Sequence, residues 1–208
     1  MESQEQLPPS RVIVLWTGLF EGSLGFLAIL VGWLFGCPPA RLVRWEIAAV
    51  GLGAAASLLP LLTVLLCMRF PLRPWADLVR VVDELLAPLF RGCRVVDLAL
   101  VSLLAGFGEE MLFRGVVQQG IADWIGAEHG VWVGLAVASL LFGLLHPITP
   151  SYAVLAGLIG LYLGALWIAT DNLLVPITTH TLYDFCVLVY VVRIRLPRRQ
   201  DDLAAKVR

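Results

Sequence analysis

The stretch 95–118, VVDLALVSLLAGFGEEMLFRGVVQ, is apolar almost throughout, yet it holds two adjacent glutamates and an arginine within six positions. A helix needs about 20 mostly apolar residues to cross a hydrocarbon core of about 30 Å. A charge at the centre of such a helix costs at least about 2.5–3.5 kcal/mol. If 95–118 crosses a bilayer, each of its charges needs a partner or a task.

Composition favours the bilayer. Of the 208 residues, 59% are hydrophobic and 15% are charged, where a soluble domain carries about a quarter charged residues. The net charge of −1 and the lack of a basic patch point away from nucleic acid. Cys37, Cys67, Cys93 and Cys186 form neither CxxC nor a zinc-ribbon spacing and read as small apolar residues.

Outward from 95–118, further apolar runs occupy 12–36, 46–68, 130–146, 151–169 and 173–192, joined by short links such as GCPPAR, PITPS and TDN. Backbone in lipid must satisfy its own hydrogen bonds, so these runs are helices. The stretch 74–91, PWADLVRVVDELLAPLFR, has helical periodicity. Leu78, Val81, Val82, Leu85, Leu86 and Leu89 lie on one side, with Asp77, Arg80, Asp83 and Glu84 on the other. It reads as an amphipathic helix, lying on the membrane surface or packed on the bundle. The expected fold is an all-α polytopic membrane bundle of about six transmembrane helices plus this interfacial helix. Its parts are two N-terminal helices and the linker helix over 1–94, a core over 95–192 and a basic tail over 193–208.

The first eleven residues, MESQEQLPPSR, lack the basic stretch of a cleaved signal peptide, so the first span is expected to stay as an anchor. With six spans, twelve Lys and Arg residues fall on the side of both termini and only Arg41 and Arg44 on the other. Both termini are therefore expected in the cytoplasm, with the protein in the inner membrane if the source is bacterial.

The ionisable residues within the spans are Glu21, Glu109, Glu110, Arg114, His146, His180 and Asp184. Glu110 and Arg114 stand at i and i+4 and can neutralise each other. Glu109 is then left about 100° round the helix without a cation, and a carboxylate buried in that way suits a general base. Phe142 and His146 stand at i and i+4, and Pro147 ends their helix. His180 and Asp184 stand at i and i+4, so Asp184 can orient the imidazole or tie two helices together. Glu21 reads as facing a water-filled cleft.

In order, EExxxR, FxxxH and Hxxx(N/D) on successive apolar helices resemble the CPBP (ABI) family of intramembrane proteases, which includes the type II CAAX prenyl endopeptidases and bacteriocin-linked relatives. The resemblance covers about 95–190. It implies that Glu109 activates a water with help from His146, that His180 and Asp184 stabilise the oxyanion, and that Glu110, Arg114 and Phe142 support the site. It implies a peptide or protein substrate, lipidated or membrane-bound, that meets the site in the bilayer. One departure stands out. The type II endopeptidases have Asn where this chain has Asp184, and an ionised Asp cannot donate to an oxyanion. Asp184 is then protonated, orients a charged His180, or binds a metal. Two cofactor readings follow. Either Glu109, His146 and His180 hold a divalent metal such as zinc, or the glutamate works without one.

Two other readings compete. One is a non-catalytic member of the fold, a bacteriocin-immunity or peptide-binding scaffold. The other is an ion-coupled transporter with a carboxylate–histidine relay, although no inverted repeat is visible. The endopeptidase reading also meets a problem of depth. In a strict six-pass bundle His146 nears the cytoplasmic edge while Glu109 is near mid-span, so either span 4 stops short or 115–128 re-enters.

Overall fold

The computed structural model describes residues 8–70 and 72–199, apart from the side chains of Pro74 and Ala127. The last part of the expected basic tail, 200–208, and most of the polar N-terminal segment lie outside the described residues. Within them the chain is all helical. α1 is Ser10–Leu34 and α2 is Ile47–Arg69. α3 covers 73–90 and α4 covers 95–125. α5 is Ala127–Leu144, α6 is Pro150–Thr170 and α7 is Leu174–Arg199.

Four of these, α1, α2, α6 and α7, have the length and apolar character of membrane spans, and the protein is a multi-pass integral membrane protein. Their outer faces carry exposed Phe20, Phe26, Trp33, Leu62, Leu66 and Leu158, an apolar belt that water would not tolerate but lipid does. Among the described residues four helices, against the six spans expected, have the length and apolar character of a span, for two physical reasons. α4 is long enough to cross but carries Asp97, Glu109, Glu110 and Arg114. α5 has only 18 residues, about 27 Å at about 1.5 Å per residue, and ends at Leu144 rather than at His146.

α4 is the centre of the bundle, touching α1, α5, α6 and α7. Glycines set how closely these helices approach. A Cβ on Gly108 would fall on the Glu21 carbonyl oxygen and 3.1 Å from the Gly25 nitrogen of α1. One on Gly106 would fall 2.8 Å from the Thr181 nitrogen of α7. Small residues at such crossings let backbones meet, which drives helix association in lipid. α2 packs on α7 in the same way, through Gly53 against the Val175 carbonyl. Within α2, Pro60 lacks the N–H that would bond the Ala56 carbonyl. Tyr162 of α6 fills that gap, donating to Ala56 O at 2.9 Å.

The α4–α5 hairpin fixes depth. From Glu109 to Ile125 the helix climbs about 24 Å at about 1.5 Å per residue. It then reverses at Gly126, whose φ of +67° suits glycine. α5 descends about the same distance, so its end returns to the level of Glu109. The expected conflict of depths is resolved by a span that stops short.

α3 packs onto the bundle. Leu78, Val82 and Ala87 are buried against Met68, Leu155, Val191 and Leu196. Asp83, assigned from the periodicity to the polar side, instead faces α7, where it bonds Arg195 at 2.6 Å and Arg199 at 2.9 Å. Residues 193–199, expected to begin the tail, continue α7 and provide these arginines.

Gly108→Val should lower stability by about 1–3 kcal/mol, the usual cost of overpacking, because neither backbone can move aside. Gly51→Ala, where an added Cβ meets nothing within 4 Å, should leave stability within about 0.5 kcal/mol. Thermal unfolding in detergent checks both.

Candidate active site

At Glu110 the regular α-helix Val95–Glu110 gives way to a π-helical segment, Met111–Gln118. Such wider turns are rare and recur at functional sites. Glu110 and Arg114, 0% and 1% exposed in their side chains, pair across this junction at 2.9 Å. Arg114 also donates to the Gly160 carbonyl of α6 at 2.9 Å, and its guanidinium lies over the Phe142 ring, 4.7 Å from the centroid. Glu110 has a second partner that helix spacing does not show. The same Oε1 accepts from His180 Nδ1 of α7 at 2.8 Å. One buried carboxylate therefore joins α4 to α7 directly and to α6 through Arg114.

His180 is held from both sides, for its Nε2 lies 3.4 Å from Asp184 Oδ2. Its ring stacks on Tyr183 at 5.1 Å between centroids and meets Phe142 edge-on at 6.1 Å.

His146 lies just past the end of α5, in the turn before Pro150. Its Nδ1 is 2.6 Å from the Phe142 carbonyl. A carbonyl only accepts, so Nδ1 carries the proton and a neutral ring presents a lone pair at Nε2. That Nε2 faces Glu109 Oε2 at 4.0 Å. Phe142 stacks on the His146 ring at 4.6 Å. Glu109 Oε2 is buried with no hydrogen-bond partner. The carboxylate expected to face away from its neighbour thus borders the same cluster. Glu109 reaches towards His146 while Glu110 reaches towards Arg114 and His180.

Exposure tells the two halves apart. Glu110, Arg114 and His180 are sealed, whereas the side chains of His146 and Asp184 remain 23% and 33% exposed. Among these residues the site is open on the side of His146 and Asp184.

The three residues considered as a metal set do not fit one. Both His180 nitrogens are engaged by carboxylates, so that ring offers no free lone pair. Among the described residues no group of three or more His, Cys, Asp or Glu is placed to hold a metal ion.

Two residues that motif spacing passed over also border the site. Tyr152 of α6 packs edge-on against His146 at 5.7 Å. Glu21 of α1 meets α4 one residue before Glu109, where its backbone carbonyl packs on Gly108, and its Oε2 is buried without a partner. The signal for Glu21 was present, since Gly18, Gly22 and Gly25 mark a small-residue seam on which it sits.

Residues 91–186 match the family model described as type II CAAX prenyl endopeptidase Rce1-like. The chain is similar to the Bacillus subtilis (strain 168) protein titled uncharacterized protein YpbD, with 32% identity over 117 residues. That match covers 55% of this chain and 54% of the relative, so the chain spans about half the length of the curated relative it matches. No solved structure matches.

Arg114→Leu leaves the Glu110 charge buried with one partner fewer. Breaking a buried pair typically costs about 3–5 kcal/mol, so this variant should unfold well before the native protein in thermal or denaturant melts. Unchanged stability would show that Glu110 does not hold the helices together.

Proposed function

We propose, from the premise that residues 91–186 belong to the Rce1-like family of type II CAAX prenyl endopeptidases, that the protein is an intramembrane endopeptidase. It hydrolyses a peptide bond in a cavity at the level of Glu109, with a water that Glu109 activates. The observation that carries this reading is the opposition of Glu109 Oε2, buried without a partner, and His146 Nε2 at 4.0 Å. Beyond about 3.5 Å two polar groups are suited to a bridging water.

A water that donates one hydrogen to Glu109 Oε2 and the other to His146 Nε2 turns its lone pairs outward, towards a substrate carbonyl. As its oxygen bonds to the carbonyl carbon, one proton passes to Glu109. Collapse of the tetrahedral intermediate breaks the C–N bond, and Glu109 returns that proton to the leaving amine. A single carboxylate serves first as base and then as acid.

The oxyanion is stabilised on the side of His180. Glu110 takes the Nδ1 hydrogen and Asp184 lies near Nε2, so a doubly protonated ring is favoured and Nε2–H can turn from the long 3.4 Å contact to the developing charge. This supports the reading in which Asp184 orients a charged His180, and it gives Asp a role where the type II endopeptidases carry Asn. Glu110, Arg114 and Phe142 position these groups.

The substrate is a peptide that reaches the site from the membrane, with both termini of the enzyme on the cytoplasmic side. A quenched-fluorescence peptide library, with and without a prenylated cysteine, tests this on purified protein. Glu109→Gln should lower cleavage by about 10²–10⁴-fold, the usual worth of a general base, with an unchanged melting temperature. Native rates in that variant would refute the mechanism.

A further inference from the structure

We propose that the groove between the first turns of α1 and α4 binds one anionic phospholipid, with its phosphate held by Arg11 and Arg94 and an acyl chain laid along the leucines beyond them. The groove is separate from the Glu109 cluster, and the proposal stands whether or not the protein cleaves peptides.

The two helices begin side by side. A Cβ on Gly92, at the entry to α4, would lie 3.2 Å from the Ser10 Cβ. One on Gly18 would lie 3.5 Å from Leu104 Cδ1, and Gly25 and Gly108 bring the backbones into contact further on. Before that contact the helices leave a cavity of about 580 Å³ between them, within the range of about 300–1,000 Å³ typical of small-molecule sites. Its lining runs from Ser10 to Leu19 along α1, about 14 Å at about 1.5 Å per residue. That is close to one leaflet of a hydrocarbon core about 30 Å thick.

The chemistry of the lining changes along that length. The deep part is formed by Leu15, Leu19, Leu100 and Leu104, and the first three are about half exposed. The shallow part holds Arg11, Arg94 and Asp97. Asp97 is engaged at the start of α4, where it accepts the Arg94 backbone N–H at 2.8 Å. It also takes the Nε hydrogen and one Nη2 hydrogen of Arg94, at 3.3 and 3.4 Å. Three of the five guanidinium hydrogens are left for a ligand, on a side chain that is 83% exposed. Two arginines against one carboxylate make the mouth of the groove positive.

A guanidinium fork matches phosphate oxygens, and the leucine floor matches a hydrocarbon chain. A free phosphate would leave the leucines uncovered, and a neutral lipid would leave the mouth uncompensated. An anionic phospholipid satisfies both ends at once. On the proposed topology the mouth faces the cytoplasm, the side on which the bilayer is most anionic.

Native mass spectrometry of the full chain tests this, after purification in neutral detergent and addition of phosphatidylglycerol or phosphatidylcholine. The protein should retain one phosphatidylglycerol, at least about fivefold more tightly than phosphatidylcholine. Arg11→Gln should weaken that retention about fivefold, the usual worth of one basic residue at an anionic surface. Gly18→Leu fills the apolar part and should release the lipid with both arginines in place. If that variant fails to fold, Leu15→Trp, at an exposed position on the groove wall, replaces it. Equal retention of the two lipids means an adventitious annular lipid only and overturns the proposal. So does unchanged phosphatidylglycerol retention in Arg11→Gln or in the groove-filling variant. Displacement of the lipid by millimolar inorganic phosphate overturns it too, because the head group would then bind without the chain.

Discussion

The Glu110 carboxylate is the constraint on which the rest depends. It is fully buried in a bundle surrounded by lipid, where an uncompensated charge is too costly to keep. Arg114 and His180 compensate it on a single oxygen, at 2.9 and 2.8 Å, and the three cannot meet unless α4 and α7 take one relative height. Arg114 extends the clamp to the Gly160 carbonyl. A Cβ at Gly160 would press on Arg114 and Phe142, so that glycine keeps the space the guanidinium occupies. Polar bonds in lipid are individually modest, but a buried charge that needs both partners restricts register more strongly than apolar contacts can.

The catalytic candidates use that fixed register. Glu110 and Glu109 are neighbours with different surroundings, the first sealed among cations and the second left beside His146 without them. The division arises where the α-helix widens into the π segment and where α5 ends early. If α5 ran one more turn as helix, His146 would remain on a helix face and would not sit in the turn opposite Glu109. Pro147 and the hairpin at Gly126 set that end between them.

Much of this was legible in the sequence, and the limits of legibility are physical. The i, i+4 rule identifies Glu110 with Arg114 and His180 with Asp184, because helical neighbours follow from spacing alone. It cannot show that Glu110 also holds His180, since that bond links positions 70 residues apart. The multi-pass character follows from composition and apolar runs, whereas the number of helices that meet the length and charge of a span does not. The extension of α4 to Ile125 depends on the hairpin turn, and the polar stretch QQGIADW gives no sign that the helix continues through it. Asp83 shows the same limit on α3. Its side of the helix looks solvent-facing until two α7 arginines, 112 and 116 positions away, are seen beside it. Glu21 stood among the candidates, yet only the backbone contact at Gly108 makes it a neighbour of Glu109.

The central claim is that Glu109 and His146 act as one unit on one water. A double-mutant cycle in cleavage rate tests it most directly. Groups that serve the same step are non-additive, so losing the second costs little once the first is gone. Glu109→Gln combined with His146→Ala should therefore be about as slow as the slower single variant. If the two losses multiply, or if the purified native protein does not cleave at all, the account is contradicted.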